Sequence, residues 1–370
     1  MVAKTFLIAL LSLTGLIPTD LPAQDSGCTQ RTVAVGVVDR QWNLVQGLGA
    51  ANFRGKLRGR DVQILSVAVD TNPRRIVVLL DASGSMMGSR DLWGAEKSFS
   101  EFLIRFGPPR AFIALMAFSA TVLDSETFEQ DPMTLMTNLH KLVNVCEQRR
   151  TQGQTALFDA ISTARVLLGA AKVGDVIYAL TDAVDNKSRT EPKKLQEELL
   201  GSGVRVFGAM MSPDDGNRTP LSESPSQFRS MASATGGNML TLPSGGSSLV
   251  KAVAWYGALD HTLRRFYQQM GEFYRLDVRL PETLDKPTKW KLEVIDAGGR
   301  PMRGVEIHYP QELMPCGNVG GRPAALGRNP SPVTRPLVRT PARGTLIVLR
   351  SAEGARALIS WRNPCRDLDR

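Results

Sequence analysis

The sequence has few of the residues and patterns on which most hydrolase, zinc and nucleotide sites depend. Only three histidines occur in 370 residues, His140, His261 and His308, each in a segment with the pattern of a helix or strand. The H-E-x-x-H, P-loop and Rossmann glycine patterns are missing, and neither Ser83 nor Ser85 lies in a G-x-S-x-G frame. These absences disfavour a serine hydrolase, a zinc protease and a nucleotide-binding enzyme.

Cysteine is also scarce, and its spacing matches no zinc signature. The four cysteines, Cys28, Cys146, Cys316 and Cys365, lie far apart in the chain. They fit an oxidising compartment, where disulfides form. Three pairings are open, and a bridge between Cys316 and Cys365 would close off the C-terminal tail.

Long apolar runs occur only at the start of the chain. Lys4, the apolar residues 6–17, Pro18 and a small residue at Ala23 have the pattern of a secretory signal peptide cut near Ala23. The run is short for a bilayer span, and its alternatives are an uncleaved anchor or a buried helix. No later segment has transmembrane length. We therefore predict a secreted or periplasmic protein with no transmembrane span in the mature chain.

The overall composition is that of a folded, basic protein. Hydrophobic residues make up 42% and charged residues 22% of the sequence, and the formal net charge is +9. The positive charge favours anionic partners without identifying them. Many of the arginines fall in the C-terminal tail, and no nucleic-acid-binding module is recognisable, so we expect no nucleic acid partner.

The order of predicted elements indicates an α/β fold. From residue 74, continuous apolar strands alternate with amphipathic helices, which is typical of a doubly wound, mostly parallel sheet covered on both faces. Small β-rich segments flank this region, and together they could form a sandwich-like unit. The predicted parts are a signal peptide (1–23), an N-terminal β-rich segment (24–73), the α/β domain (74–270), C-terminal β-strands (271–310) and a Pro/Gly/Arg-rich, partly disordered tail (311–370).

Three oxygen-bearing side chains follow the first buried strand of the α/β region. In "RRIVVLLDASGSMM", Asp81, Ser83 and Ser85 are spaced D-x-S-x-S. Ligands of open α/β sheets bind at the carboxyl ends of the strands, and alternate residues can project to one side. One carboxylate with two hydroxyls suits Mg²⁺, which prefers oxygen ligands. A plain turn that caps backbone groups is the alternative.

Two later residues can join this set. Thr155 in "GQTALFD" starts a predicted helix, and a helix N-cap is its alternative role. Asp182 in "YALTD" ends another buried strand, and a loop residue is its alternative role. Since carboxyl ends of parallel strands share one edge, we expect both residues to lie near the D-x-S-x-S segment.

The combination of "DASGSM", "GQTALFDAI" and "LTD" resembles the von Willebrand factor type A (VWFA) domain with its metal-ion-dependent adhesion site. The resemblance covers about residues 74–270. It implies a Rossmann-like domain, a bound Mg²⁺ or Mn²⁺, and a partner carboxylate that completes the coordination. The implied ligands are Asp81, Ser83, Ser85, Thr155 and Asp182. One departure is Ala183, since many relatives have glycine after this aspartate.

The flanking segments are similar to the exported VWFA-related proteins common in acidobacteria. "VVDRQWNLVQGLGAANF" precedes the domain and "FYRLDVRLP" follows it. Around the site, the loop 212–226 is a candidate for determining partner specificity. Arg149 and Arg150 would add positive electrostatic potential near the ion. We further expect Asp159, Asp185 and Asn186 to hydrogen-bond to ligand groups or their waters.

The leading functional hypothesis is an exported, non-enzymatic binding protein that engages an acidic group of a protein or peptide through a divalent cation. A structural cell-envelope scaffold with metal-independent contacts is the alternative. Phosphoryl chemistry assisted by Mg²⁺ is a third hypothesis, but the sequence offers no obvious base or nucleotide cradle.

Overall fold

The structure is a computed structural model that describes residues 26–149, 153–211, 223–242 and 262–316. In chain order, the strands are β1 Gln30–Asp39, β2 Phe53–Leu57, β3 Arg60–Asp70, β4 Arg75–Asp81, β5 Phe112–Phe118, β6 Val122–Glu129, β7 Val176–Thr181, β8 Arg205–Met211, β9 Met239–Leu242, β10 Phe273–Arg279, β11 Thr288–Val294, β12 Val305–His308 and β13 Glu312–Leu313. The helices are α1 Ser26–Thr29, α2 Gly84–Gly88, α3 Arg90–Phe106, α4 Pro132–Arg149, α5 Leu157–Leu168, α6 Pro192–Ser202, α7 Ser224–Ala234 and α8 over residues 262–271.

A six-stranded sheet forms the centre of the α/β domain, in the order β6-β5-β4-β7-β8-β9. Its strands are parallel except β6, which pairs antiparallel with β5 at one edge. Along β4, Ile76, Val78 and Leu80 face a core formed with α3, α4 and α8. Val77 and Leu79 face a second core formed with α5, α6 and α7. Helices therefore cover both faces, which confirms the predicted doubly wound fold.

The β-rich segments on either side of this domain meet in one antiparallel sheet. Its seven strands follow the order β12-β1-β10-β3-β2-β11-β13. Strands from before the α/β domain lie among strands from after it, around a shared apolar core. The layer curls, so that the Arg31 Nη2 atom on β1 donates to the Met314 carbonyl beyond β13 at 3.3 Å. It is thus one curled sheet rather than the expected sandwich of two.

The curled sheet contacts the α/β domain where the parallel strands begin. Phe273, the first residue of β10, packs so closely on Gly174 that a Cβ there would lie 2.2 Å from its ring. The Gln311 amide donates to the Ala234 carbonyl at 2.9 Å. The opposite edge, where the parallel strands end, carries the loops with the predicted ligands.

Several sequence predictions concern residues outside the described ranges, among them the signal peptide, most of the tail and Cys365. The short strand β13 extends the sheet beyond residue 310, where the tail was expected to begin. None of the helices in the described part of the chain combines the length and hydropathy needed to cross a membrane. Cys146 is a buried thiol on α4, packed in the core.

Candidate functional site

The D-x-S-x-S segment begins at the last residue of β4. Asp81 and Ser83 are fully buried, whereas Ser85 is exposed at the start of the short helix α2. The Ser83 and Ser85 hydroxyl oxygens lie 3.2 Å apart. Ser83 occupies the N-cap position of α2, but its side chain makes no capping hydrogen bond. The hydroxyl pair is therefore not used as an ordinary helix cap.

Asp81 is held at three of its atoms. The Ser83 amide donates to its Oδ1 at 2.9 Å, and the Thr181 hydroxyl donates to its Oδ2 at 2.5 Å. Its own amide donates to Oε1 of Glu96 on α3 at 3.2 Å. Because each carboxylate oxygen has two lone pairs, both Oδ atoms keep capacity for a cation or a water.

Sequence reasoning missed Glu96. The side chain is fully buried and lies on the apolar stripe of α3 between Trp93 and Phe99. An acidic residue on such a stripe is rarely buried without a partner, and this was the available signal. Thr181, whose hydroxyl also accepts from the Ala183 amide at 2.9 Å, was missed as well.

Thr155 lies just before α5 and is buried. Its amide donates to Oδ1 of Asn186 at 2.9 Å, and its carbonyl accepts from the Asn186 and Lys187 amides at 3.0 and 3.1 Å. The N-cap residue of α5 is Ala156, not Thr155. The simple capping role considered for Thr155 is therefore not the one it has.

Asp182 directly follows β7 and is nearly buried, with Oδ1 accepting from the Val184 amide at 3.1 Å. The next residue, Ala183, has φ 58°, a left-handed conformation that favours glycine. Its carbonyl accepts from the buried Ser224 hydroxyl at 2.9 Å. The departure noticed in the sequence is thus a real backbone constraint beside Asp182.

Backbone contacts bring the loops together at the carboxyl edge of the sheet. Gly84 lies so close to Gly153 that a Cβ on it would be 2.6 Å from the Gly153 Cα atom. The Ala82 amide donates to the Phe118 carbonyl at 2.8 Å, and the Ala156 amide to the Ser119 carbonyl at 2.7 Å. The D-x-S-x-S segment and the loop before Thr155 therefore share one small region.

The residues expected to support the ligands connect the loop after Asp182 to Thr155 and to the start of α5. Asp159 accepts from the Arg189 and Thr190 amides at 3.1 and 2.9 Å, and Oδ2 of Asp185 accepts from the Phe158 amide at 3.0 Å. Together with the Asn186 contacts to Thr155, these bonds join residues 183–190 to the start of α5. The positions of Thr155 and Asp182 are thereby linked.

The positive side chains and the specificity loop expected near the site are only partly described. Arg149 donates to the Leu123 carbonyl at 2.7 Å on the edge strand β6. Arg150 and residues 212–222 lie outside the described ranges, and the rest of the predicted loop, from residue 223, leads into α7.

Electrostatics at this edge favour a bound cation. Burial raises the pKa of Asp81 to about 6, the hydrogen bonds from Thr181 and Ser83 oppose this, and the charge of Asp182 adds to it. Burial, followed by the charge of Asp81, raises the pKa of Glu96 well above its usual value. The neighbouring charges that contribute most to the two shifts are thus those of other acids. An added cation would relieve this unfavourable burial of acids.

The chemistry of the oxygen atoms decides which ion fits. In the described part of the chain, no group of three or more His, Cys, Asp or Glu side chains is arranged to hold a metal. A site here would therefore depend on hydroxyl oxygens beside the carboxylates. Such a set suits Mg²⁺ or Mn²⁺, which accept hard oxygen ligands and keep several waters.

Comparison with known proteins bears on the same region. Residues 76–184 match the von Willebrand factor type A domain family, and this range includes all five predicted ligands. No curated protein matches the sequence.

A von Willebrand factor type A structure from Catenulispora acidiphila is similar at 14% identity and TM-score 0.40, over 77% of this chain and 75% of that one. BatB from Bacteroides thetaiotaomicron is similar at 16% identity and TM-score 0.36, over 51% and 98%. An aerotolerance-related membrane protein from Bacteroides fragilis is similar at 15% identity and TM-score 0.35, also over 51% and 98%.

Proposed function

Because the chain contains a von Willebrand factor type A domain over residues 76–184, we propose that it is a non-enzymatic binding protein that captures its partner through a divalent cation. Domains of this family bind proteins and are generally non-enzymatic. The cation is Mg²⁺ or Mn²⁺, and the partner is a protein or peptide with an exposed carboxylate. Its ligands are Asp81, Ser83, Ser85, Thr155 and Asp182.

The observation that carries this proposal is that two buried acids, Asp81 and Asp182, lie at the sheet edge that also carries the hydroxyl groups of Ser83 and Ser85. Burial raises the pKa of Asp81, and the neighbouring charge of Asp182 raises it further. Two carboxylates and three hydroxyls supply hard oxygen atoms and leave the ion part of its positive charge. The ion supplies the Lewis acid to which a partner carboxylate binds.

The chain's own residues orient this site. Thr181 and the Ser83 amide hold the Asp81 carboxylate, so that its free lone pairs keep a fixed direction. The bonds between Asn186 and Thr155 hold the Thr155 segment against the loop that follows Asp182. Ser85 is exposed, so the partner would approach from its side of the edge.

Calorimetry of the purified chain tests the metal site. We expect one Mg²⁺ or Mn²⁺ per chain, and no binding after Asp81→Ala. Asp61→Ala is the matched control, because Asp61 is an exposed aspartate on the curled sheet. Absence of binding by the wild type, or unchanged binding by Asp81→Ala, would refute the metal site.

A pull-down from the native envelope with and without EDTA tests the mode of partner capture. We expect the partner to be retained with Mg²⁺ and released by EDTA. Capture that ignores EDTA would instead favour the scaffold alternative, in which the curled sheet makes the contacts. The same proposal includes export from the cytoplasm. Sequencing of the mature N-terminus tests this, and we expect the mature chain to begin near residue 24.

A further inference from the structure

A buried acid outside the predicted ligand set contacts the backbone of the proposed ligand Asp81. Glu96 is fully buried in α3, and its Oε1 accepts from the Asp81 amide at 3.2 Å. Its Oε2 has no hydrogen-bond partner among the described residues. A buried carboxyl group with one unused oxygen is costly, so its retention at this position calls for a role.

The contact occurs where β4 leaves the sheet. Pairing of β4 with β7 ends at Leu80 opposite Leu180, one residue before Asp81. On the other side, the Ala82 amide donates to the Phe118 carbonyl of β5. Since successive strand amides point to opposite neighbours, the Asp81 amide faces the side on which pairing has ended. Glu96 takes the place of the missing strand partner.

Glu96 therefore links the two ends of the D-x-S-x-S loop. The loop leaves β4 at Asp81, carries Ser83 and Ser85, and enters α3 at Arg90. A bond from α3 back to Asp81 sets the distance between the end of the strand and the helix. This bond fixes the Asp81 backbone on the side away from β5 without using the Asp81 carboxylate, which is the group needed for the ion.

We propose that Glu96 is a positioning residue for the divalent cation, acting through its hydrogen bond to the Asp81 amide. This inference rests on the proposed metal site. It predicts that removal of the acceptor weakens the ion's affinity beyond any loss of stability. Residues that orient metal ligands typically contribute about 10- to 100-fold to affinity.

The test measures Mn²⁺ affinity by calorimetry and metal-free stability by urea unfolding in four variants of the full chain. Glu96→Leu removes the acceptor at similar volume, and Glu96→Gln keeps an acceptor oxygen in place. Glu96→Asp shortens the side chain by one methylene group, and it replaces the leucine variant in the test if that variant does not fold. Glu101→Leu is the control, since Glu101 lies on the same helix with its side chain 36% exposed.

We expect Glu96→Leu and Glu96→Asp to weaken Mn²⁺ binding by about 10- to 100-fold. Glu96→Gln should bind close to the wild type, whereas a purely volume-filling role would leave the leucine variant close to the wild type as well. Wild-type affinity in the leucine or aspartate variant would overturn the inference while the metal site stands. Equal losses in the glutamine and leucine variants would overturn the acceptor role. If the wild type binds no Mn²⁺, the proposed function fails together with the inference.

Discussion

The two edges of the parallel sheet both contain buried charged side chains, but the partners of these side chains differ between the edges. At the carboxyl edge, Asp81, Glu96 and Asp182 are buried, and the charges of neighbouring acids raise the pKa of the first two further. At the amino edge, Arg74 and Arg205 are buried too, and both have protein partners. The buried charges of the amino edge thus contact protein groups that join two parts of the chain, whereas those of the carboxyl edge include two of the proposed metal ligands.

At the amino edge, the buried guanidinium groups contact backbone carbonyls, one aspartate and an aromatic ring. Arg205 donates to the Met270 carbonyl at 2.7 Å and to the Gln269 carbonyl at 3.2 Å, at the end of α8. Its guanidinium lies 4.2 Å from the centre of the Phe273 ring, and that of Arg74 lies 4.3 Å from the same ring. Arg74 also pairs with Asp70 at 2.6 Å. These contacts join the α/β domain to the curled sheet.

The largest effect should come from breaking this joint. Arg205→Ala leaves the carbonyls at the end of α8 without their donor and removes the stacking on Phe273. We expect a loss of about 3–5 kcal/mol in the free energy of unfolding, measured by urea denaturation. Arg229→Ala, on the exposed side of α7, should change it by less than about 0.5 kcal/mol. A similar small change for Arg205→Ala would mean that the joint is not set by these contacts.

Adding the proposed cation should have the next largest effect, and only at the carboxyl edge. Mg²⁺ at a hundred times its dissociation constant should raise the free energy of unfolding by about 2.7 kcal/mol. Asp182→Asn should remove this gain, because the ion loses a charged ligand. Asp61→Asn should keep it, since Asp61 is exposed on the curled sheet. A gain that survives Asp182→Asn would place the ion elsewhere.

The amino edge should respond to pH through His308. Burial lowers the pKa of His308, Glu306 opposes this, and the charge of Arg205 lowers it further. A histidine with a lowered folded pKa contributes stability above its unfolded pKa of about 6.5 and loses it as the pH falls through the folded pKa. His308→Gln should therefore remove the loss of stability that His308 causes as the pH falls below about 6.5. His140→Gln, with its side chain 58% exposed, should leave this loss unchanged.

The sequence predicted the carboxyl edge far better than the amino edge, and the reason is physical. Asp81, Ser83 and Ser85 are adjacent in the chain, and they end a strand whose apolar pattern places them at a sheet edge. Arg205 and Phe273 lie 68 positions apart by their numbers and touch only because α8 returns the chain to the start of β8. Glu96 was missed for a related reason, since its partner is a backbone amide, which no sequence pattern shows.

The smallest effect, and the sharpest one for the carboxyl edge, concerns Ala183. Its left-handed φ of 58° costs roughly 1–2 kcal/mol in an L-residue, and glycine would release that strain. Glycine would also lose a buried methyl group worth about 0.8 kcal/mol and add about 0.4–1 kcal/mol of unfolded-state entropy.

We therefore expect Ala183→Gly to change the free energy of unfolding by less than about 1 kcal/mol in either direction. Ala179→Gly, in the middle of β7, has the same lost methyl without strain to release, and should cost about 1–2 kcal/mol. The free energies of unfolding of the two variants and the wild type are compared by urea denaturation. Equal losses would show that Ala183 stores no strain, and that the loop holding Asp182 is relaxed like the paired residues of the amino edge.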